Sequence, residues 1–163
     1  MNGRRAGMTL ALVQLLLVSG VALKYAADRA RLPSAWARTV PFDPSLPIRG
    51  RYVRLRLQVP MSATAPAGGA LSRVRLVAAA GRVYAVADSA TGLEATLDTA
   101  GGAPVARLAE PIAFFIPEHV PDPSARPRDE ELWAEVTLPT SGPPRPIRLG
   151  VRRGGALEPL DLR

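Results

Sequence analysis

Glu118 and His119 stand side by side, and a carboxylate next to the chain's single histidine is a pairing suited to general acid–base catalysis. On extended backbone, however, consecutive side chains point to opposite faces and cannot converge on one substrate atom. Asp122, Asp129, Glu130 and Glu131 follow in a Pro-rich segment. One histidine among such carboxylates is a poor zinc set and leaves only calcium open, so no metal and no cofactor are expected. Nucleophilic catalysis is narrowed further. The chain has no cysteine, no G-x-S-x-G turn, and in Lys24 its single lysine, which leaves none for a Ser–Lys dyad in the C-terminal part. The Gly68-Gly69, Gly101-Gly102 and Gly154-Gly155 pairs match no phosphate-binding loop and read as hairpin turns. A second group of residues suits binding rather than bond-making: Tyr52, Arg54 and Arg56 recur at every second position, forming an aromatic and cationic strand face. Arg49, Arg73, Arg75, Arg148, Arg152 and Arg153 are candidates to extend it.

The elements that must carry these residues begin with a membrane segment. Ala6–Leu23 is an uncharged run between Arg4-Arg5 and Lys24, long enough to cross a hydrocarbon core as a helix. Gln14 is its one amide, which either marks a helix–helix contact or is merely tolerated. Gly20-Val21-Ala22 has the small residues of a signal-peptide cleavage site, but the apolar run continues past it to Leu23, which favours an uncleaved anchor. Arg4 and Arg5 on one side nearly balance Lys24, Arg29 and Arg31 on the other, so charge alone leaves the orientation open. Tyr25 to Arg38 reads as a helical extension broken at Pro33, with Tyr25 and Trp36 as interfacial aromatics. The expected organisation is therefore an anchor at 1–24, a connector at 25–36 and a β domain at 37–163.

Within that domain Asp43-Pro44 is a turn signal, and Pro41, Pro44 and Pro47 exclude a helix. Gly50 opens a strand in which Val53, Leu55, Leu57 and Val59 share the buried face and Tyr52, Arg54, Arg56 and Gln58 the wet one. Pro60 closes it. Further strands are expected at 71–79, 82–87, around Leu93 to Leu97, at 105–108, at 112–116 with both faces buried, and at 132–138, 147–151 and 157–162, with one helical turn at Asp129-Glu130-Glu131. The fold class is mainly β: an N-terminal transmembrane helix, then a small antiparallel barrel or sandwich. The formal charge of +7 comes from 21 basic residues, nearly all arginine, in an Ala-, Gly- and Pro-rich chain. This is a compositional bias as much as evidence for an anionic partner.

The run Asp43-Pro44, Arg49 and Gly50-Arg51-Tyr52-Val53-Arg54-Leu55-Arg56-Leu57 resembles the signature of the GDYxxLxY proteins, small membrane-anchored bacterial proteins. Phe114-Phe115-Ile116-Pro117-Glu118 is similar to their second, aromatic-aliphatic-Pro-Glu motif. Two positions depart, Arg51 standing where the family has Asp and Leu57 where it has Tyr. The resemblance implies a cytoplasmic N-terminus, an inner-membrane anchor and a domain facing the periplasm or cell exterior. It further implies a non-catalytic accessory role beside a polytopic membrane protein. Its motifs single out Asp43, Gly50, Tyr52, Arg54, Arg56 and Glu118 as binding candidates. An envelope hydrolase using Asp43 or Glu118, and a module binding anionic lipid or polymer, are the alternatives. An external location argues against nucleic acid as a partner.

Overall fold

The computed structural model describes residues 3–42, 52–62, 71–88, 90, 92–100, 102–127 and 129–162. Asp43 and Gly50, with the segment between them where a turn was expected, lie outside the described residues, as do Arg49 and Arg51. The chain divides into two units, Met1–Leu32 and Pro33–Arg163.

The first unit is helix α1, Gly3–Arg31. At 1.5 Å per residue it is about 43 Å long, more than a hydrocarbon core requires. Its segment Ala6–Arg31 has a mean hydropathy of 2.0 and is long and apolar enough to span a membrane. The Leu32 N–H donates to the Asp28 carbonyl at 2.8 Å and closes the last turn. Pro33 follows, and with no N–H to give and a preference for extended backbone before it, it stops the helix.

The expected helical extension is thereby corrected. Tyr25–Arg31 is helical, but Ser34–Arg38 belongs to a strand, and the units meet at Leu32/Pro33 rather than at 36/37. This strand, β1 (Ser34–Pro41), buries Ala35, Ala37 and Thr39. Its inner face is built of small residues that strands otherwise avoid, so no apolar alternation betrays it. The remaining strands are β2 (Tyr52–Pro60), β3 (Leu71–Ala79), β4 (Arg82–Ala87), β5 (Leu93–Asp98), β6 (Val105–Leu108), β7 (Ile112–Phe115), β8 (Glu130–Thr137), β9 (Arg145–Arg153) and β10 (Ala156–Pro159). The expected helical turn at 129–131 is a turn at Asp129 running directly into β8, with the Glu130 N–H on the Pro127 carbonyl.

Six strands close a barrel in the order β1-β4-β3-β5-β6-β2 and back to β1. The named pairings are antiparallel except β1–β4, a single parallel bridge at Trp36↔Arg82. From the other edge of β1 the sheet continues through β8, β9 and β10, while β7 runs beside the first half of β2. Of the two expected forms, barrel or sandwich, the barrel is the one adopted. Its core is the inner face of β2, Val53, Leu55, Leu57 and Val59, packed with Val74, Val83, Leu97, Val136 and Leu149. At about 25 cal/mol per Å2 of apolar surface removed from water, this burial is the chief force holding the barrel closed. Ala80 and Gly81 both take positive φ, 48° and 74°, the geometry a two-residue hairpin needs to match strand twist.

Candidate interaction face

The outward side of β2 carries Tyr52, Arg54, Arg56 and Gln58, as the alternation requires. Register supplies the neighbours. Tyr52 lies opposite Phe115 and Arg54 opposite Ala113 on β7, while Arg56 faces Val40 and Gln58 faces Arg38 on β1. The Tyr52 and Phe115 rings meet at 5.9 Å between centroids, tilted by 59°. Phe115 is 77% exposed. This corrects the expectation that 112–116 is buried on both faces: Ile112 and Ile116 point inward, but among the described residues β7 pairs with β2 alone, and Ala113 and Phe115 on its other side are exposed.

Just past β1, the Phe42 N–H donates to the Arg54 carbonyl at 3.0 Å, which extends the ladder by one residue and brings the Phe42 ring under two guanidinium groups. Arg54 Cζ is 4.9 Å and Arg56 Cζ 4.4 Å from its centroid. Both are cation–π distances. Among the described residues neither arginine has a carboxylate partner, and Arg56 Nε is buried with no hydrogen-bond acceptor.

Several other arginines differ, and the expected extension of this face through Arg75, Arg148, Arg152 and Arg153 does not form; Arg73 and Arg82, like Arg54 and Arg56, have no carboxylate partner among the described residues. Arg75 pairs with Asp88 at 3.8 Å, Arg148 with Glu135, Arg152 with Glu131 at 3.9 Å and Arg153 with Glu130 at 2.6 Å. Arg38 and Arg107, which border β2, also have partners, Glu131 at 3.3 Å and Asp98 at 3.4 Å. Glu130 accepts from Arg153 and Arg126, and these hydrogen bonds hold its carboxyl below the usual carboxylate range. Arg73 is exposed on β3, and Arg49 lies outside the described residues.

A second cluster, on the outer side of β1, β8 and β9, was not legible beforehand. Trp133, 8% exposed, has Arg82 at 5.5 Å and Arg152 at 5.7 Å from its ring and donates its indole N–H to Glu131 at 3.1 Å. Trp36 belongs to a strand and not to the expected connector. It lies in β1 against Gly150, with Arg148 at 5.4 Å. The sequence signal for it was slight: Trp36 two positions before Arg38, and Trp133 two positions from Glu131 and from Glu135.

Glu118 and His119 are exposed in the turn after β7, where the Val120 N–H meets the Pro117 carbonyl. Glu118 is not brought into the Tyr52–Arg56 face by any contact among the described residues. The neighbouring carboxylates have other tasks: Asp122 accepts the Ser124 N–H at 2.8 Å, and Glu130 and Glu131 hold arginines. Among the described residues no group of three His, Asp or Glu side chains is placed to hold a metal ion. A cleft between β3, β5 and the Leu138–Pro144 segment is lined by Val74, Leu76, Leu93, Leu138 and Pro144, with the Arg75–Asp88 pair at its rim. It offers apolar contact but no acid–base pair beyond that ion pair.

The β1-β2-β7 face thus presents hydrogen-bond donors and aromatic surface, an arrangement suited to holding an anion or a partner surface. No protein-family model matches the chain, and neither a curated protein nor a solved structure matches it.

Proposed function

We propose that this chain is a non-catalytic, membrane-anchored accessory protein of the bacterial envelope that associates with a polytopic membrane protein. In this reading α1 crosses the inner membrane with its N-terminus in the cytoplasm, and the barrel faces the periplasm or exterior. The observation that carries it is the Tyr52–Phe115 pair: a large aromatic, 77% exposed, tilted against a second one at the margin of the barrel. Exposed aromatic surface of this kind marks interaction sites, and aromatic anchors dominate the energetics of interfaces. The membrane-length helix α1 and the resemblance to GDYxxLxY proteins support the location and the class of partner. An envelope hydrolase has less support, because Glu118 and His119 meet no reacting partner among the described residues and Asp43 lies outside them.

The test is co-purification from the native membrane in mild detergent. Wild type brings down a multi-spanning protein; Tyr52→Ala and Phe115→Ala, which remove outward rings and leave the core intact, stay folded and lose it. Absence of any membrane protein with wild type, or its retention by both variants, removes this reading.

A further inference from the structure

We infer that the Arg54–Phe42–Arg56 cluster binds the phosphate of anionic phospholipid headgroups and so docks the barrel on the bilayer. The inference rests on the membrane-anchored part of the reading above and not on its protein partner. Three observations lead to it. First, the two guanidiniums stand over one ring, at 4.9 and 4.4 Å from its centroid, and so are within about 9 Å of each other. Among the described residues no carboxylate neutralises either, although Arg38, Arg75, Arg107, Arg126, Arg148, Arg152 and Arg153 all have one. Two like charges on one ring, without a carboxylate among the described residues, favour an anion nearby, and the planar guanidinium donates in pairs to phosphate oxygens.

Second, the site is partly built in advance. Phe42 is fixed by its backbone hydrogen bond to Arg54, and its ring restricts both side chains, so less rotamer freedom is lost on binding. Arg56 Nε finds no acceptor among the described residues, so the guanidinium's donors are not used up by the protein there. Third, the ligand is near at hand. Only Leu32 and Pro33 separate the membrane-length helix from β1, so the covalent connection keeps the barrel within reach of headgroups. Beside the cluster Tyr52 supplies an aromatic of the type enriched at membrane–water boundaries, with the exposed Phe115 ring against it.

The experiment uses the full chain reconstituted in vesicles. The protein has no cysteine, so Ala113→Cys, exposed beside Arg54 on β7, takes one fluorophore, and Ala156→Cys on β10 serves as the control position. Quenching by lipids carrying a nitroxide on the headgroup reports contact with the bilayer surface. The label at 113 should be quenched in vesicles containing phosphatidylglycerol and not in pure phosphatidylcholine, with little change at 156. Each arginine contributes a factor of about five near an anionic surface, so Arg54→Gln/Arg56→Gln should lower the ratio of docked to free barrel about 25-fold. Arg54→Lys/Arg56→Lys, which keeps the charge and loses the paired donors, should fall between wild type and the glutamine variant. Raising NaCl to about 0.5 M should release the wild-type barrel, because the screening length falls well below its physiological value of about 8 Å; this arm needs no variant to fold. Equal quenching in both lipids, quenching in phosphatidylglycerol unchanged by Arg54→Gln/Arg56→Gln or by salt, or quenching equal at positions 113 and 156 would overturn the inference. The purified system contains no protein partner, so loss of co-purification in the native membrane and loss of lipid docking here are separate results.

Discussion

Gly150→Ala should destabilise the barrel even though it adds a single methyl group. A Cβ at position 150 would lie 2.8 Å from Trp36 Cζ3, 2.9 Å from Cη2 and 3.0 Å from the Glu158 carbonyl oxygen. Carbon atoms in contact prefer about 3.5–4.0 Å, so the indole has to withdraw by the better part of an ångström. It has little room to do so: Trp36 is held in β1 between β8 and the β4 bridge, and Arg148 stacks at its ring. Overpacking of this kind costs about 1–3 kcal/mol. For a folded unit of this size, about 4 °C of melting temperature corresponds to each kcal/mol, so a drop of about 4–12 °C is expected. Thermal unfolding of the full chain in detergent, followed by near-ultraviolet circular dichroism, measures it. The cause is isolated by repeating the substitution in a Trp36→Ala background, where most of the added cost should vanish and only the approach to Glu158 remains. A melting temperature unchanged by Gly150→Ala, or an equal loss with and without the Trp36 ring, would refute the proposed contact.

Leu55 is fully buried at the centre of β2, so Leu55→Ala should cost about 2–5 kcal/mol in chemical denaturation, whereas Arg54→Ala on the outward side should stay within about 0.5 kcal/mol. Equal losses would mean that the strand faces are assigned the wrong way round. Acid should weaken the barrel through Glu130. Its folded-state pKa is lowered by hydrogen bonds from Arg153 and Arg126, so it binds a proton more readily when unfolded. Its contribution is complete above the ordinary glutamate pKa of about 4.3 and is lost as pH falls from there through the lowered value. In stability measured against pH, Glu130→Gln should be less stable at neutrality and show a shallower acid limb; superimposable limbs would exclude Glu130 as the cause.

Much of the architecture is written in local pattern. An uncharged apolar run can only be satisfied in water-free surroundings as a helix, because a helix pairs its own backbone groups, and α1 follows from that alone. Strict alternation in Tyr52–Val59 fixes β2 and its two faces, and Ala80-Gly81 fixes a hairpin. Strand β1 could not be read this way. Its buried side is Ala35, Ala37 and Thr39, and it is a strand because β8 and β2 pair with it, partners far along the chain. The candidate face divides in the same manner. Tyr52, Arg54 and Arg56 were visible as an outward set, but Phe42 and Phe115 joined them only through the pairing of β2 with β1 and β7. An arginine at an alternating position looks the same whether or not a carboxylate will meet it. The surrounding strands settle that: Arg153 lies opposite Glu130 and Arg152 opposite Glu131 and both pairs form, Arg54 and Arg56 lie opposite Ala113 and Val40, and Arg73 lies opposite Glu94 without an ion pair among the described residues. Whether a charge is neutralised depends on atoms within about 4 Å of it, and in a β-barrel those atoms are brought close by strands that the sequence keeps far apart.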